Sequence, residues 1–311
     1  MNIIFMGTPE FAVPPLKELD DKYQIKLVLT QPDKEKGRGK KVQVSPVKEE
    51  ALKRGIRVLQ PIKLRQDKET IEEIRKIEPD FIIVVAYGQI LSEEVLNIPK
   101  YGCINLHASL LPKLRGAAPL NYALIEGHQE SGSTTMLMDK GLDTGDMLLR
   151  ESLTIDDSMD LKELHDTLSM RGGNLLIRTI EGILDGSIER IKQNDEESSY
   201  AHMIDKDTCN IDWSKPAKEI NNLIRGLSPV PAAFSYLGED RVKILKASYL
   251  ENDYEEPGHI IEVSGNGILV ATGKGSLLIT KLQYPGKKPM EVKDFLNGNE
   301  ITENLFRRSV E

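Results

Sequence analysis

Cysteine is nearly missing from this chain of 311 residues, which holds only Cys103 and Cys209. Two thiols cannot build a disulfide framework or a zinc site made of cysteines. No apolar run approaches the roughly 20 residues of a membrane span, and no basic segment precedes the apolar N-terminus, so neither a transmembrane helix nor a signal peptide is predicted. These absences favour a reducing compartment, and we expect a cytoplasmic protein without a membrane partner.

A dinucleotide-binding fingerprint is also lacking, because the first predicted strand is followed by Gly7-Thr-Pro-Glu10 and not by a glycine-rich G-x-G-x-x-G turn. Thr8 is instead predicted to cap the next helix, with Pro9 in its first turn. An acidic loop at residues 139–146 does not have the acidic spacing of a calcium-binding hand. We therefore expect no metal.

Strands and helices alternate in the first half of the chain. Residues 81–86 form a continuous apolar run, typical of a central parallel strand buried on both faces. Further strands are predicted at residues 102–107 and 134–138, and a long helix at 161–184. This alternation predicts an α/β fold with a Rossmann-like, doubly wound and mainly parallel sheet.

The pattern changes near residue 188. A polar segment follows, and short strands are predicted at residues 241–250, 258–263, 268–272 and 277–282, with hairpin turns at 265–267 and 273–275. We therefore expect a catalytic domain at 1–188, a linker at 189–203 and a small C-terminal β-barrel domain at 204–311. Trp213, the only tryptophan, is expected in the second core.

The segment Cys103-Ile-Asn-Leu-His-Ala-Ser-Leu-Leu-Pro112 carries the strongest functional signal. Alternate side chains of a strand share a face, so Asn105 and His107 point the same way. Asn supplies an amide donor, His can exchange a proton near neutral pH, and Asp143 could supply a carboxylate to the imidazole. Such a set suits acyl-type transfer, although a lone histidine at a strand end is more often structural.

Open sheets bind ligands beyond the carboxyl ends of their strands. His107 ends its predicted strand, so it should face that crevice, next to the loop at residues 87–91. This placement is independent of any resemblance.

Several motifs resemble those of formyltransferases that use 10-formyltetrahydrofolate, and more narrowly those that act on methionyl-tRNA. The wider resemblance rests on residues 105–112 and on Gly141-Leu-Asp-Thr-Gly-Asp146. The narrower one rests on five further segments: Gly7-Thr-Pro-Glu-Phe11, Gln31–Lys41, Ser45-Pro-Val-Lys48, Arg115-Gly-Ala-Ala-Pro119, and a C-terminal stretch with Gly286-Lys-Lys and Asp294-Phe-Leu-Asn-Gly298.

The resemblance implies a formyl donor, 10-formyltetrahydrofolate, and an acceptor, the methionine of initiator methionyl-tRNA. Asn105 would donate to the developing oxyanion, His107 would donate or move a proton, and Asp143 would orient His107 or take a proton through water. The implied folate contacts are Gln89, Ile90, Leu91, Ser109, Leu110, Leu111, Pro112, Asp139 and Gly141.

For the tRNA, the resemblance implies an oligonucleotide-binding-like (OB-like) C-terminal barrel and a basic loop with Arg38 as its key arginine. Lys36, Lys40 and Lys41 would assist, and a monomer is expected. Candidate phosphate contacts in the C-terminal region are Arg225, Arg241, Lys243, Lys281, Lys287 and Lys288. The net charge of −8 does not itself favour RNA, but electrostatic fields act locally.

Three other functions are consistent with parts of the sequence. A formyltransferase could act on a nucleotide sugar or on glycinamide ribonucleotide, and a hydrolase could release formate from the same folate with the same three residues. A non-enzymatic RNA-binding protein would need no Asn105, His107 and Asp143 together.

Overall fold

The computed structural model describes residues 1–36 and 41–309, which form two compact units. Among these residues, the first unit comprises 1–36, 41–116, 132–153 and 165–200, and the second comprises 117–131, 154–164 and 201–309. Two segments that precede residue 188 thus belong to the second unit. The continuous division at 188 and 204 stays a prediction for the domains of the chain.

The first large sheet has seven strands in the described residues, numbered here along the whole chain: β1 (Ile3–Gly7), β2 (Leu27–Leu29), β5 (Val58–Leu59), β6 (Phe81–Val85), β7 (Cys103–His107), β9 (Glu130–Leu137) and β10 (Met147–Thr154). Their spatial order is β10-β9-β7-β6-β1-β2-β5. The pairs from β5 to β7 are parallel, and β9 runs antiparallel to β7. The predicted mainly parallel, doubly wound sheet is confirmed.

Helices accompany these strands, and shorter strands lie outside the large sheet. The helices are α1 (Val13–Tyr23), α2 (Pro46–Lys53), α3 (Lys68–Lys76), α4 (Glu93–Leu96) and α6 (Leu161–Asp185). The short strands are β3 (Lys34–Lys36) with β4 (Lys41–Gln43), and β8 (Arg115–Gly116) with β11 (Tyr200–Ala201). Ser45, Asp67 and Ser92 cap α2, α3 and α4 by accepting backbone N–H bonds.

Adjacent β1 and β6 mark the point where the strand order reverses, the usual ligand position of such sheets. The Thr8 hydroxyl, just after β1, donates to the Tyr87 carbonyl just after β6, at 3.0 Å. The prediction that Thr8 caps a helix is wrong, because the chain first makes a 3₁₀ turn at Glu10–Ala12 that has no side-chain cap. Thr8 ties together two strand ends instead.

The core beside these strand ends is apolar and closed. Ile4 and Met6 of β1 and Ile82 of β6 are fully buried against Leu27, and Tyr87 joins the same cluster. Such packing holds the carboxyl ends of the strands rigidly, which is what a site built on their loops requires.

The second unit contains an antiparallel half-barrel sheet. Its strands are β12 (Ala233–Leu237), β13 (Asp240–Leu250), β14 (Ile260–Ser264), β15 (Gly267–Ala271), β16 (Ser276–Gln283), β17 (Met290–Glu291) and β18 (Phe306–Arg307), and its helices are α5 (Pro119–Ile125), α7 (Ala217–Leu227) and α8 (Val292–Leu296). Both predicted hairpin turns are confirmed by the pairing of β14 with β15 and of β15 with β16.

Trp213 lies in the core of this second unit, as predicted, and is only 5% exposed. Its indole stacks on Phe306 with ring centroids 5.4 Å apart, and its N–H donates to the Ser235 hydroxyl at 2.9 Å. A buried tryptophan with a satisfied donor is a structural residue and is not available for base stacking.

Both cysteines are buried, and burial raises the pKa of the Cys103 thiol to about 12 and also raises that of Cys209. Since the thiolate is the reactive form, we expect no reaction of either residue with a chromogenic disulfide reagent in the native protein at mildly alkaline pH. The same reagent should titrate two thiols in denaturant. A fast-reacting thiol in the native protein would contradict this burial.

Within residues 1–36 and 41–309, no helix is both long enough and apolar enough to cross a bilayer.

Candidate active site

Strand β7 brings Asn105 and His107 to one face, as the strand alternation predicts. Asn105 pairs with Val84 and Met136 in the ladder, and His107 pairs with Thr134 at the end of the strand. Both side chains are largely buried, 9% and 6% exposed. No hydrogen-bond partner of the Asn105 amide occurs among the described residues. Its N–H₂ group is therefore a free donor in a low-dielectric setting.

His107 is held by one hydrogen bond and faces one carboxylate. Its Nε2 donates to the Leu114 carbonyl at 2.9 Å, and its Nδ1 lies 3.7 Å from Oδ2 of Asp143. A carbonyl can only accept, so Nε2 must carry a hydrogen. Nδ1, on the side of Asp143, is left as the atom that gains or loses a proton. The Asp143 distance is too long for a direct hydrogen bond in this conformation.

Asp143 sits in a loop whose backbone is restrained on several sides. Its φ of 55° is left-handed, a conformation that L-residues other than Asn and Asp rarely adopt. Its Oδ2 accepts the Gly116 N–H at 2.8 Å. The Gln193 side chain donates to the carbonyls of Asp143 and Gly145, each at 2.8 Å.

Gly145 has a steric reason to be glycine. A Cβ at this position would overlap the carbonyl of Leu137. The loop therefore passes tightly against the end of β9, which fixes the carboxylate of Asp143 close to β7.

The other predicted residues of the acidic loop have structural partners or are exposed. The Asp139 carboxylate accepts the Gly141 N–H at 2.9 Å and the Thr144 hydroxyl at 2.8 Å. Asp139 and Gly141 are both exposed, and Leu142 is 61% exposed. An exposed apolar side chain at a loop tip is free to pack against an apolar ring of a ligand.

The polar groups of the predicted Ser109–Pro112 turn are bonded to residues just outside it. The Ser109 hydroxyl is buried and donates to the Lys113 carbonyl at 2.7 Å. Leu111 is fully buried with Met136 and Met147, and its N–H donates to the Thr134 hydroxyl at 3.1 Å. Leu110 is half-buried and Pro112 is buried. This turn shapes the site mainly through its backbone.

The three predicted residues of the 87–91 loop have different environments. The Gln89 side chain accepts from the Leu64 N–H and donates to the Pro61 carbonyl, both at 2.8 Å. Leu91 lies in the apolar core. Ile90 is 75% exposed and, with Leu142, offers exposed apolar surface in the first unit.

The basic loop lies at the edge of what the structure describes. Lys36 at the end of β3 pairs in the ladder with Lys41 at the start of β4. Arg38 and Lys40 lie outside the described residues. The prediction that these four cations contact tRNA stays a prediction.

The basic residues of the C-terminal region that are candidate phosphate contacts differ in how far they are exposed. Arg225 is only 8% exposed, and its guanidinium donates to the carbonyls of Asp156 and Met159 at 2.8 and 3.3 Å. Arg225 is thus a structural residue of the second unit and not a surface cation. Arg241 is exposed, and its guanidinium lies 4.0 Å from the centre of the Phe234 ring.

Sequence reasoning missed a buried pair beside the acidic loop. Arg115 is 1% exposed, and its Nε donates to Oε1 of Gln193 at 2.9 Å. In the sequence, Arg115 is one residue of a family motif, and Gln193 falls within the predicted polar linker. Residues 193–199 are all polar, but they contain no glycine, and that absence is the one signal in this segment that could have indicated ordered structure.

Together these groups provide a free amide donor, an imidazole with one exchangeable nitrogen, and a fixed carboxylate. That set can stabilise a developing oxyanion and carry a proton away from an attacking amine. Among the described residues, no cluster of three histidine, cysteine or acidic side chains has a geometry that could hold a metal ion.

Comparison with known proteins matches both halves of the chain. The model of the formyl transferase family matches residues 1–180, and that of the formyl transferase C-terminal domain matches residues 203–300.

Close relatives match almost end to end. The methionyl-tRNA formyltransferase of Clostridium novyi (strain NT) is 57% identical over 302 residues, which are 97% of this chain and 98% of that protein. The enzyme of the same name from Clostridium tetani is 55% identical over 98% of this chain and 99% of that protein.

Solved structures share the fold at low identity. A sugar 3N-formyl transferase, crystallised with dTDP and 5-N-formyl-THF, has a TM-score of 0.67 at 21% identity, covering 93% of this chain and 99% of its own. HypX from Aquifex aeolicus, in complex with tetrahydrofolic acid, has a TM-score of 0.62 at 15% identity, covering 99% of this chain and 51% of its own.

Proposed function

Because this chain belongs to the formyl transferase family, we propose that it transfers the formyl group of 10-formyltetrahydrofolate to the α-amino group of methionine on initiator methionyl-tRNA. The observation that carries the proposal is the near end-to-end identity to relatives named for this reaction. An identity of 57% over both domains includes the parts of the chain that would choose the acceptor, and not only the parts that bind the donor.

The reaction requires stabilisation of an oxyanion and transfer of a proton, and the site contains groups suited to each. When the amine attacks the formyl carbon, negative charge builds on the formyl oxygen, and the free amide of Asn105 is the donor proposed to stabilise it. The amine must then lose a proton, and the folate nitrogen must gain one as its bond to the formyl carbon breaks. His107 presents Nδ1 for that transfer, since its Nε2 is occupied by the Leu114 carbonyl.

Asp143 is proposed to act on His107 rather than on the substrate directly. Its carboxylate is fixed by the Gly116 N–H and lies 3.7 Å from Nδ1 of His107. A fixed anion at that distance orients the ring and stabilises the imidazolium formed when Nδ1 takes a proton. A second route, from the amine to Asp143 through water, uses the same carboxylate.

The donor is proposed to lie along the loops that surround these residues. Ile90 and Leu142 would contact its aromatic rings, and the backbone of the Ser109–Pro112 turn would contact its polar edges. The shape of this pocket is proposed to come from Gln89, Leu91, Asp139 and Gly141. The side chains of Gln89 and Asp139 are already hydrogen-bonded, that of Leu91 is buried, and Gly141 has none. No metal is invoked.

The acceptor is proposed to be bound by the basic loop and the C-terminal domain of a monomer in the cytoplasm. We keep 1–188 as the catalytic domain, 189–203 as the connecting segment and 204–311 as the tRNA-binding domain. Lys36, Arg38, Lys40 and Lys41 would contact phosphates, which suits cations in a loop with two glycines.

Arg38→Ala is expected to raise the KM for methionyl-tRNA about tenfold while the KM for the folate stays unchanged. One lost arginine–phosphate contact removes charge-assisted binding without touching the donor pocket. Steady-state kinetics with each substrate varied in turn would measure this. Lys113→Ala, a change at an exposed cation outside the basic loop, serves as the control. An effect on the folate KM instead would contradict the loop assignment.

The function itself is tested by offering the enzyme several acceptors. Labelled 10-formyltetrahydrofolate is incubated with methionine-charged initiator tRNA, with uncharged tRNA, and with a nucleotide amino-sugar. The proposal predicts label on the charged tRNA alone. Label on the sugar would keep the donor and overturn the acceptor.

A further inference from the structure

We propose that Gln193 is a positioning residue for formyl transfer, which fixes Asp143 against His107 and is itself fixed by the buried Arg115. The inference rests on the proposed function. It concerns a part of the chain that carries none of the predicted catalytic or binding residues.

The Gln193 side chain has only one possible orientation. Its Oε1 accepts from the Arg115 guanidinium at 2.9 Å, and its Nε2 donates to the carbonyls of Asp143 and Gly145 at 2.8 Å. An arginine can only donate and a carbonyl can only accept, so a flipped amide would oppose all three partners. The side chain is 7% exposed, so water cannot readily replace these bonds.

The two carbonyls that Gln193 binds lie on either side of a single residue, Thr144. They define the turn that carries the Asp143 carboxylate, at a residue whose φ of 55° lies in the left-handed region. Without the amide, nothing else among the described hydrogen bonds joins these two carbonyls to a common donor. Gln193 therefore sets the backbone from which Asp143 projects.

Arg115 makes this clamp part of the active site. Its side chain is 1% exposed and reaches Gln193 with Nε and the exposed Asp195 with Nη2, both at 2.9 Å. The residues on either side of Arg115 contact the two proposed catalytic residues: the Leu114 carbonyl accepts from His107, and the Gly116 N–H donates to Asp143. One three-residue segment thus contacts His107, Asp143 and the clamp.

The test is a double-mutant cycle. Gln193→Glu keeps the shape but turns a carboxylate oxygen toward the two carbonyls, so kcat should fall about 10- to 100-fold, because small misplacements of a catalytic group have effects of this size. Both KM values should stay within about twofold. In an Asp143→Asn background the same change should cost less than about threefold, since Gln193 acts through Asp143.

The matched control is Asp195→Asn, which removes the negative charge of the solvent-exposed partner of Arg115 and should leave kcat unchanged. Gln193→Met, which removes all three bonds without adding charge, enters the same cycle if the glutamate variant does not fold. A loss that is fully additive with Asp143→Asn, or a wild-type kcat in the Gln193 variants, would overturn the proposal.

A readout without turnover separates this inference from the proposed function. The imidazole NMR signals of His107 should shift in Gln193→Glu and stay in place in Asp195→Asn. Unchanged His107 signals in both variants would overturn the positioning role, whatever reaction the enzyme catalyses. Shifted signals in an enzyme that formylates no tRNA would overturn only the function.

Discussion

Replacing His107 with glutamine is expected to slow formyl transfer by about 10²- to 10⁴-fold, the range for loss of a positioned proton-transfer group. The glutamine amide can keep the hydrogen bond to the Leu114 carbonyl, so the loop should remain folded. It has no titratable atom to replace Nδ1 beside Asp143. The loss should therefore fall on kcat, and the KM values for folate and tRNA should change little.

Single-turnover transfer of labelled formyl from a preloaded enzyme would measure this effect. His202→Gln, the same change at an exposed histidine outside the proposed site, is the matched control and should retain full activity. His107→Gln with a near-normal single-turnover rate would remove His107 from the mechanism.

Replacing Asn105 with alanine is expected to lower kcat about 10²- to 10³-fold, as removal of one oxyanion donor does in acyl transfer. The amide is 9% exposed and no described residue uses it, so its loss leaves no protein partner unsatisfied. The native strand should form in the variant, because the ladder pairs to Val84 and Met136 are made by the backbone.

Asn105→Asp sharpens this experiment. It keeps the shape but places negative charge where the transition state develops negative charge, so it should be at least as slow as the alanine variant. Asn266→Ala, in an exposed hairpin turn, is the control for a simple Asn-to-Ala change. An Asn105→Asp enzyme faster than Asn105→Ala would contradict the role of an oxyanion donor.

The parts of the site that depend on the two-residue alternation of strands and on the order of strands in the sheet can be predicted from the sequence. Alternation along β7 placed Asn105 and His107 on one face, and the apolar run at residues 81–86 identified the central strand beside them. These features depend on local backbone geometry, which repeats every two residues and can be extracted from a single segment.

Contacts between distant segments were not predictable in this way. Thr8 bonds the carbonyl of Tyr87, 79 residues away, in preference to capping the next helix. Gln193 bonds Asp143, 50 residues away, from a segment whose polar composition resembled a linker. Arg225 is of a residue type expected at the surface, but it is buried and donates to two carbonyls. In each case the partner is a backbone group, which leaves no trace in the sequence.

The most direct test of the account is the stoichiometry of one reaction. Tetrahydrofolate formed and formylmethionyl-tRNA formed should be measured together, with free formate measured in the same samples. Equal amounts of the first two products are expected, with formate no higher than in an enzyme-free control, because the proposed site would hold an amine acceptor against Asn105, His107 and Asp143. Tetrahydrofolate matched by formate, with charged tRNA left unformylated, would show a hydrolase and contradict the account.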